Sequence, residues 1–263
     1  MKIATWNINS VRRRLNLVTR FLRQHQPDVL CLQETKVINA LFPATRFREL
    51  GYVHQAINGQ KGYHGVAILS RHPFVRFEAK AFCGKEDCRH LGATFENGFE
   101  LHNFYVPAGG DIPDPKVNPK FGHKLDFLRE MAVSFETRSD RETPVVMVGD
   151  LNVAPLPNDV WSHKQLLDVV SHTPVETALL AGVKASFDWI DVTREFVPHE
   201  EKIYSWWSYR ALNWEASDRG RRLDHIWTSP GLRGAVKNHT ILKKLRGWKT
   251  ASDHVPVLAE FAE

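Results

Sequence analysis

Short apolar runs rich in β-branched and aromatic residues alternate along this chain with stretches of helical periodicity. That alternation predicts a layered α/β domain and argues against an all-β sandwich. No internal repeat or low-complexity linker interrupts it, so residues 1–263 are expected to form one domain, a length that can bury one substantial core.

Taken in order, Lys2–Trp6 reads as a strand. A helix is expected from about Val11, because Val11, Leu15, Val18 and Leu22 share a face, and Pro27 stops it. Val29–Leu32 reads as a short buried strand that delivers Gln33 and Glu34. Val66–Leu69, Gly92–Phe95 and Leu101–Tyr105 read as further strands. Phe121, Leu125, Leu128, Ala132 and Phe135 form a helical stripe with Pro119 near its start. Val145–Val148 reads as a core strand ending in Gly149-Asp150-Leu151-Asn152. Later strands are expected around Ile203–Tyr209, Leu223–Thr228 and Val255–Phe261. Ala108–Asn118 and Arg210–Gly220 lack pattern and read as loops beside chemically interesting residues.

Charge and cysteine usage narrow the classes. The formal net charge of +5 favours a polyanionic partner, since each phosphate contact releases counterions. Three cysteines, Cys31, Cys83 and Cys88, are too few and too odd for a disulfide scaffold and indicate a reducing, cytoplasmic setting. Cys83, Cys88 and His90 find no fourth ligand at zinc-finger spacing. The opening MKIATWNINS has no apolar signal core, and no segment approaches a membrane-spanning run. No coiled-coil seam is visible, so a monomer is expected.

One device recurs: an apolar strand ends in a polar, oxygen-bearing side chain. Asn7 and Asn9 follow the first strand, Glu34 the second, and Asp150 and Asn152 follow Val145–Val148. Asp224 sits inside Arg221-Arg222-Leu223-Asp224-His225-Ile226-Trp227, and Ser252-Asp253-His254 immediately precedes the last strand. Singly, each reads as a solvated turn residue or an Asx turn. Together they indicate strand ends converging on one cavity, where carboxylates and amides suit a hard cation such as Mg²⁺ or Mn²⁺.

These segments carry a family resemblance. Trp6-Asn7-Ile8-Asn9, Leu32-Gln33-Glu34-Thr35-Lys36, Asn103-Phe104-Tyr105-Val106-Pro107, Gly149-Asp150-Leu151-Asn152-Val153-Ala154-Pro155, Leu223-Asp224 and Ser252-Asp253-His254 resemble, in matching order, the exonuclease III and abasic-endonuclease family. The resemblance implies a four-layered α/β sandwich, two packed mixed β-sheets flanked by helices. It implies divalent-metal-dependent hydrolysis of DNA phosphodiesters, with abasic-site incision, 3′–5′ exonuclease and 3′-end cleaning. By matching positions, Asn7, Glu34 and Asp253 surround the metal, with Asp150 and Asn152 close by. Asp150 activates the water, Asn152 bonds the phosphate and nucleophile, and Asp224 holds His254 against the phosphate. Tyr105 contacts the phosphate or leaving oxygen; Asn9 and Lys36 lie beside the metal site. The number of metal ions is left open.

The resemblance also implies the substrate: double-stranded DNA with abasic sites, nicks or 3′ ends. Trp206 in Tyr204-Ser205-Trp206-Trp207-Ser208-Tyr209-Arg210 matches the wall of a pocket for a flipped-out baseless sugar, with Leu223 opposite. Arg210 matches a position that enters the DNA stack; Trp207 and Tyr209 read equally as core. Arg12–Arg14, and Arg219, Arg221 and Arg222 with Lys243, Lys244, Arg246 and Lys249, read either as DNA-facing surfaces or as solvated faces. Two positions depart from the family: Ala108 stands where many relatives carry Asn, and Arg221 where some carry Trp. The same catalytic residues also fit a phosphoesterase for lipid headgroups or inositol phosphates, which would lack the Tyr-x-Pro and aromatic segments. A nucleic-acid-binding protein on an inactive nuclease fold would have lost a metal or base residue.

Overall fold

The computed structural model describes residues 1–211 and 213–262; Leu212, inside the expected 210–220 loop, and the terminal Glu263 lie outside the described residues. The first half contains β1 (Lys2–Asn7), α1 (Leu15–His25), β2 (Val29–Gln33), α2 (Ala44–Arg48), β3 (His54–Asn58), β4 (Val66–Ser70), β5 (Phe74–Glu78), β6 (His90–Phe95) and β7 (Glu100–Tyr105). The second contains α3 (Pro119–Glu136), β8 (Val145–Asp150), α4 (His163–Leu166), α5 (Pro174–Ser186), β9 (Ile190–Asp191), α6 (Val192–Phe196), β10 (Trp206–Trp207), α7 (Trp214–Ser217), β11 (Gly220–Arg221), β12 (Asp224–Thr228), β13 (Val236–Ile241) and β14 (Val257–Phe261).

Two six-stranded mixed sheets form, in the orders β13-β14-β1-β2-β4-β3 and β5-β6-β7-β8-β12-β9. Strand periodicity explains why they stack. In β2, Val29 and Cys31 face the second sheet, where they join Leu91, Leu101, Val146 and Ile226 in the shared core. Leu30 and Leu32 face the other way, onto Phe21, Leu22 and Phe47 of α1 and α2. On the far side Phe104, Val145 and Met147 meet Phe127, Met131 and Val183 of α3 and α5. The result is the expected four-layered helix–sheet–sheet–helix sandwich.

Helix ends follow their sequence signals. Asn118 caps α3 by accepting from the Lys120 N–H, with Pro119 at the first helical position. Thr173 and Glu176 form a capping box at α5. The first helix, expected from Val11, starts instead at Leu15. The preceding residues form a turn, and Arg14, the N-cap with φ −114° and ψ 21°, lies outside helical geometry while its side chain donates to Thr250 O at 2.9 Å and Ile8 O at 3.3 Å. Arg14 is thus a buried pin and leaves the expected basic surface.

Other expectations are corrected. The segment 203–209 yields only the two-residue β10, because the Ser205 and Trp207 N–H groups go to Arg221 O and Asp253 O rather than into a large sheet. The expected 210–220 loop contains α7. Arg222 and Arg246 are buried. Arg222 bridges Asp159 and Asp191, and Arg246 lies between the Tyr209 and Trp214 rings, so neither can face a duplex. Trp207 is core, whereas Tyr209 is half-exposed. The three cysteines are free, with Cys31 in the intersheet core. No helix among the described residues is long and apolar enough to cross a membrane.

His225 on β12 makes stability acid-sensitive. Burial lowers its pKa to about 4, the Arg222 charge adding to the effect. An unfolded histidine titrates near ~6.5, so between these values the unfolded chain binds a proton the folded one refuses. Stability from this group is therefore full above pH ~6.5 and falls by about 3 kcal/mol as pH drops through 4. Urea denaturation at stepped pH should show that slope in wild type and a shallower one in His225→Phe.

Candidate active site

The strand order gathers the polar ends on one edge. Parallel β1 and β2 end together at Asn7 and Gln33, and parallel β7 and β8 at Tyr105 and Asp150. Antiparallel β12 begins there, its Asp224 opposite Asp150. The Ser252–His254 segment enters antiparallel β14 at the same edge, Val257 lying opposite Thr5. Asn103 pins the sheets across the gap, its amide donating to Leu32 O and Ala67 O at 3.0 Å each.

Local backbone then aims the side chains. Gly149 has φ 139°, and a Cβ there would lie 1.9 Å from Phe104 O, so only glycine fits before Asp150. Asn9, Glu34, Lys36 and Asn152 all hold positive φ, between 47° and 53°. Such conformations are uncommon for side-chain-bearing residues, and their gathering at one edge marks a constrained site.

The site has two linked halves. In one, the Asn7 amide donates to Glu34 Oε1 at 2.9 Å and to Asp150 Oδ2 at 2.8 Å. Tyr105 donates its hydroxyl to the same Glu34 oxygen at 2.9 Å, and Lys36 pairs with Glu34 Oε2 at 2.7 Å. Lys36 also donates to Asn9 Oδ1 at 2.7 Å, and Asn9 to Asp253 Oδ1 at 3.1 Å. Asn152 donates to Val106 O at 2.9 Å and Asp150 Oδ2 at 3.1 Å.

In the other half, His254 Nδ1 meets Asp224 Oδ2 at 2.8 Å, and its Nε2 faces Asp150 Oδ2 at 3.6 Å. Ser205 donates to Asp224 Oδ2 at 2.6 Å while accepting from the Leu223 and Asp224 N–H groups.

Burial makes these charges matter. It pushes Asp150 up to about 7, against the His254 charge and with Asp224 adding repulsion. Burial disfavours the imidazolium of His254, but Asp224 and Asp150 overcome it and raise its pKa to about 10. For Glu34 burial is likewise overcome, by Lys36, and the pKa falls. Burial and the nearby carboxylates hold Tyr105 as a neutral phenol.

This donor set fits a hard divalent cation. Glu34 and Asp150 present oxygens to a single amide nitrogen of Asn7, and burial, which raises the pKa of Asp150, penalises a charge that a bound cation would stabilise. Asp150, Asp224 and His254 also bring ligand atoms within 4.8 Å of one another. There the raised pKa of His254 keeps its ring a cation paired with Asp224, so the oxygen set around Glu34 and Asp150 fits a hard cation better. Asn7 turns its NH₂, not its oxygen, toward the carboxylates, and the oxygen accepts from the Asn9 N–H. Both oxygens of Asp253 are taken, by Asn9 and by the Trp206 indole at 3.0 Å.

A cavity of about 690 Å³ opens over these groups. Glu34, Tyr105, Asp150, Asn152 and His254 line one part of it, and Trp161, Trp206, Arg221 and Leu223 another. Leu223 is buried in that wall, and Arg210 stands exposed at the rim. All the sequence-identified residues thus border one site, though Asn7, Asn9, Lys36 and Asp224 support the cavity rather than line it.

Three supports were not read from sequence. Ser205 fixes Asp224, and Trp6 donates its indole N–H to His254 O at 3.0 Å. Lys124, fully buried, pairs with Glu176 and donates to Asn152 O at 2.7 Å and Ala108 O at 3.3 Å. The legible signal was a lysine beside the apolar stripe of α3. Lys124→Met strands the Glu176 charge and is expected to cost about 3–5 kcal/mol in denaturant unfolding. Adding Glu176→Gln should recover most of that loss.

The chain matches the Endonuclease/Exonuclease/phosphatase family over residues 4–254. It is 30% identical over 272 residues to exodeoxyribonuclease III of Haemophilus influenzae, covering 99% of this chain and 100% of that protein. The structure of an AP endonuclease from Archaeoglobus fulgidus superposes with a TM-score of 0.92 at 33% identity, both chains covered in full. A 3′ phosphatase from Neisseria, bound to a product DNA hairpin, superposes with a TM-score of 0.91 at 30% identity, again with full coverage. Fold, site and full-length similarity agree: the chain belongs to the exonuclease III and AP endonuclease branch of that family.

Proposed function

We propose that this nuclease is a DNA-repair enzyme of the exodeoxyribonuclease III type. It incises double-stranded DNA 5′ to abasic sites and also trims and cleans 3′ ends, leaving 3′-hydroxyl and 5′-phosphate. The observation that carries the reading is His254 held between Asp224 and Asp150, directly beside the Glu34–Asn7–Asp150 cluster, in a cleft with a Trp206–Leu223 wall. The similarity to an AP endonuclease and to a DNA-bound 3′ phosphatase supports both kinds of substrate.

The residues divide the chemistry. Asp150, titrating near 7, takes the proton of the attacking water. The water oxygen bonds to phosphorus, and the bond to the 3′-oxygen breaks. The 3′-oxygen leaves as a hydroxyl, and Tyr105, a neutral phenol at the cleft, is placed to donate toward it. His254, protonated below about 10, offers N–H and positive charge to the phosphate where negative charge develops. Asp224 fixes the imidazole, and Asn152 orients water and phosphate from its bond to Asp150. Glu34 and Asp150, with Asn7, Asn152 and Asp253 around them, would hold Mg²⁺ or Mn²⁺, which would supply charge neutralisation and polarisation of the phosphate. Lys36 and Asn9 keep Glu34 and Asp253 in place. Trp206 and Leu223 wall the sugar pocket, with Arg221 beside them, and Arg210 meets the duplex at the rim. The free thiols accord with action in the cytoplasm, and the enzyme acts as a monomer.

An end-labelled duplex with one abasic analogue tests this. Mg²⁺-dependent incision on the 5′ side, leaving a 3′-hydroxyl and abolished by EDTA, is expected. Absence of any cut on abasic, nicked or 3′-blocked duplexes with Mg²⁺ or Mn²⁺ would overturn the reading.

A further inference from the structure

Arg221 puts a positive charge beside the Trp206 and Leu223 side chains of the cavity wall. It leaves β11 opposite Trp206, with its guanidinium carbon 5.2 Å from that indole's centroid. Nη1 is anchored to Val170 O at 2.9 Å and Ser171 Oγ at 2.7 Å. Nε is buried and has no partner. The neighbouring arginines differ: Arg222 is paired with Asp159 and Asp191, and Arg194 with Asp159. Among the described residues, no carboxylate lies within ion-pair distance of Arg221. Burial lowers its pKa, opposed by Glu176, an acid already committed to Lys124.

A largely buried cation without a counter-ion is costly to the fold, so its place on the wall of the reaction cavity calls for an anionic visitor. The scissile phosphate cannot be that visitor, because His254 and the Asn7–Glu34–Asp150 cluster already serve it. What remains is the fragment esterified on the far side of that phosphate, which the Trp206 wall receives. A guanidinium edge recognises a carboxylate better than it does a neutral sugar. Arg210 and Arg219, which also line the cavity, add to the positive potential; the exposed Asp111 of the 108–118 loop is the solvated acid near them.

Resting on the nuclease reading above, we propose that Arg221 is a specificity-determining residue that makes this pocket favour a carboxylate-bearing fragment over a neutral one. The fragment best matched is a two-carbon acid left on a damaged 3′-phosphate end. A neutral baseless sugar would enter the same pocket but leave the guanidinium without a counter-ion, which is why selectivity should follow charge rather than size.

Three duplexes test the inference: one ending in 3′-phosphoglycolate, one in the neutral isostere 3′-phospho-(2-hydroxyethyl), and one with an internal tetrahydrofuran. Wild type should release glycolate phosphate with kcat/KM about tenfold above the hydroxyethyl ester. Arg221→Met and Arg221→Trp should bring that ratio close to one, and Arg221→Lys should keep part of it. Melting curves establish that each variant is folded, and the wild-type ratio stands without any variant. Equal wild-type rates on the two esters, or an undiminished ratio in folded Arg221→Met, would overturn the role of Arg221 and leave the nuclease reading intact. Failure to cleave any of the three duplexes would instead strike at the nuclease reading itself.

Discussion

Asp150→Asn is expected to lower cleavage of every DNA substrate by a factor of a thousand or more. In the proposed mechanism the carboxylate has two tasks: it accepts the proton from the attacking water, and it supplies negative charge to the cation site. Asn can do neither. A single transition-state stabilising group is commonly worth about 3–4 kcal/mol, and here two effects act through one side chain. The fold should survive, since Asn has the same shape and keeps an oxygen for the Asn152 N–H, which bonds Asp150 Oδ1 at 2.9 Å. A second readout separates the roles. Mg²⁺ or Mn²⁺ should raise the melting temperature of wild type through binding to the native state, and raise that of Asp150→Asn much less. A variant that still cleaves within tenfold of wild type would exclude Asp150 as the base. An unchanged cation shift would exclude it as a ligand.

Most of the frame was legible in sequence, and the exceptions share a physical cause. The interior strands β1, β2, β4 and β8 are buried on both faces, so they read as continuous apolar runs. The strands missed are the edges: β3 and β13 of one sheet, β5 and β9 of the other. In β5 all but Phe74 are exposed, and β13 has three exposed residues of six, so neither carries a clean apolar signal. Edge strands are recognised by their partners, which a single sequence does not display. The helix α5 was missed despite Thr173-Pro174-Val175-Glu176, a cap signature legible in hindsight.

At the site, oxygen-bearing residues after strands were legible because they break an apolar run. What sequence could not give was their partnership. Asp253 reads as a ligand by position, but its contacts with Asn9 and Trp206, far away along the chain, do not show in the sequence. Arg222 and Arg221 are adjacent and look alike, but one is locked between two aspartates and the other is left without a counter-ion in the cleft. Strand alternation sends neighbouring side chains to opposite faces, so the distinction depends on which face carries acids. Ser205 acts through a hydrogen bond to Asp224 far along the chain, and nothing local announces it.

Asp224→Asn should move the alkaline limb of the pH–rate profile to lower pH and reduce the rate at pH 8 by a hundredfold or more. In wild type, burial works against a charged His254, and Asp224 is the first of the carboxylates that reverse the balance. The raised pKa means that the imidazolium persists through neutral pH and is lost only as pH rises through about 10. Removing the Asp224 charge lets burial prevail, so the active protonation state is lost at a lower pH. Geometry should be retained. Ser205 Oγ–H and His254 Nδ1 both meet Asp224 Oδ2, so the single oxygen of Asn can accept from both. The amide NH₂ then takes the place of Oδ1, which has no partner in the protein. The substitution therefore changes charge with little change of shape, and losing one such contribution is worth about 3 kcal/mol in activation energy. An alkaline limb that stays where wild type has it would show that Asp224 only positions the ring, and that the charge on His254 is set elsewhere.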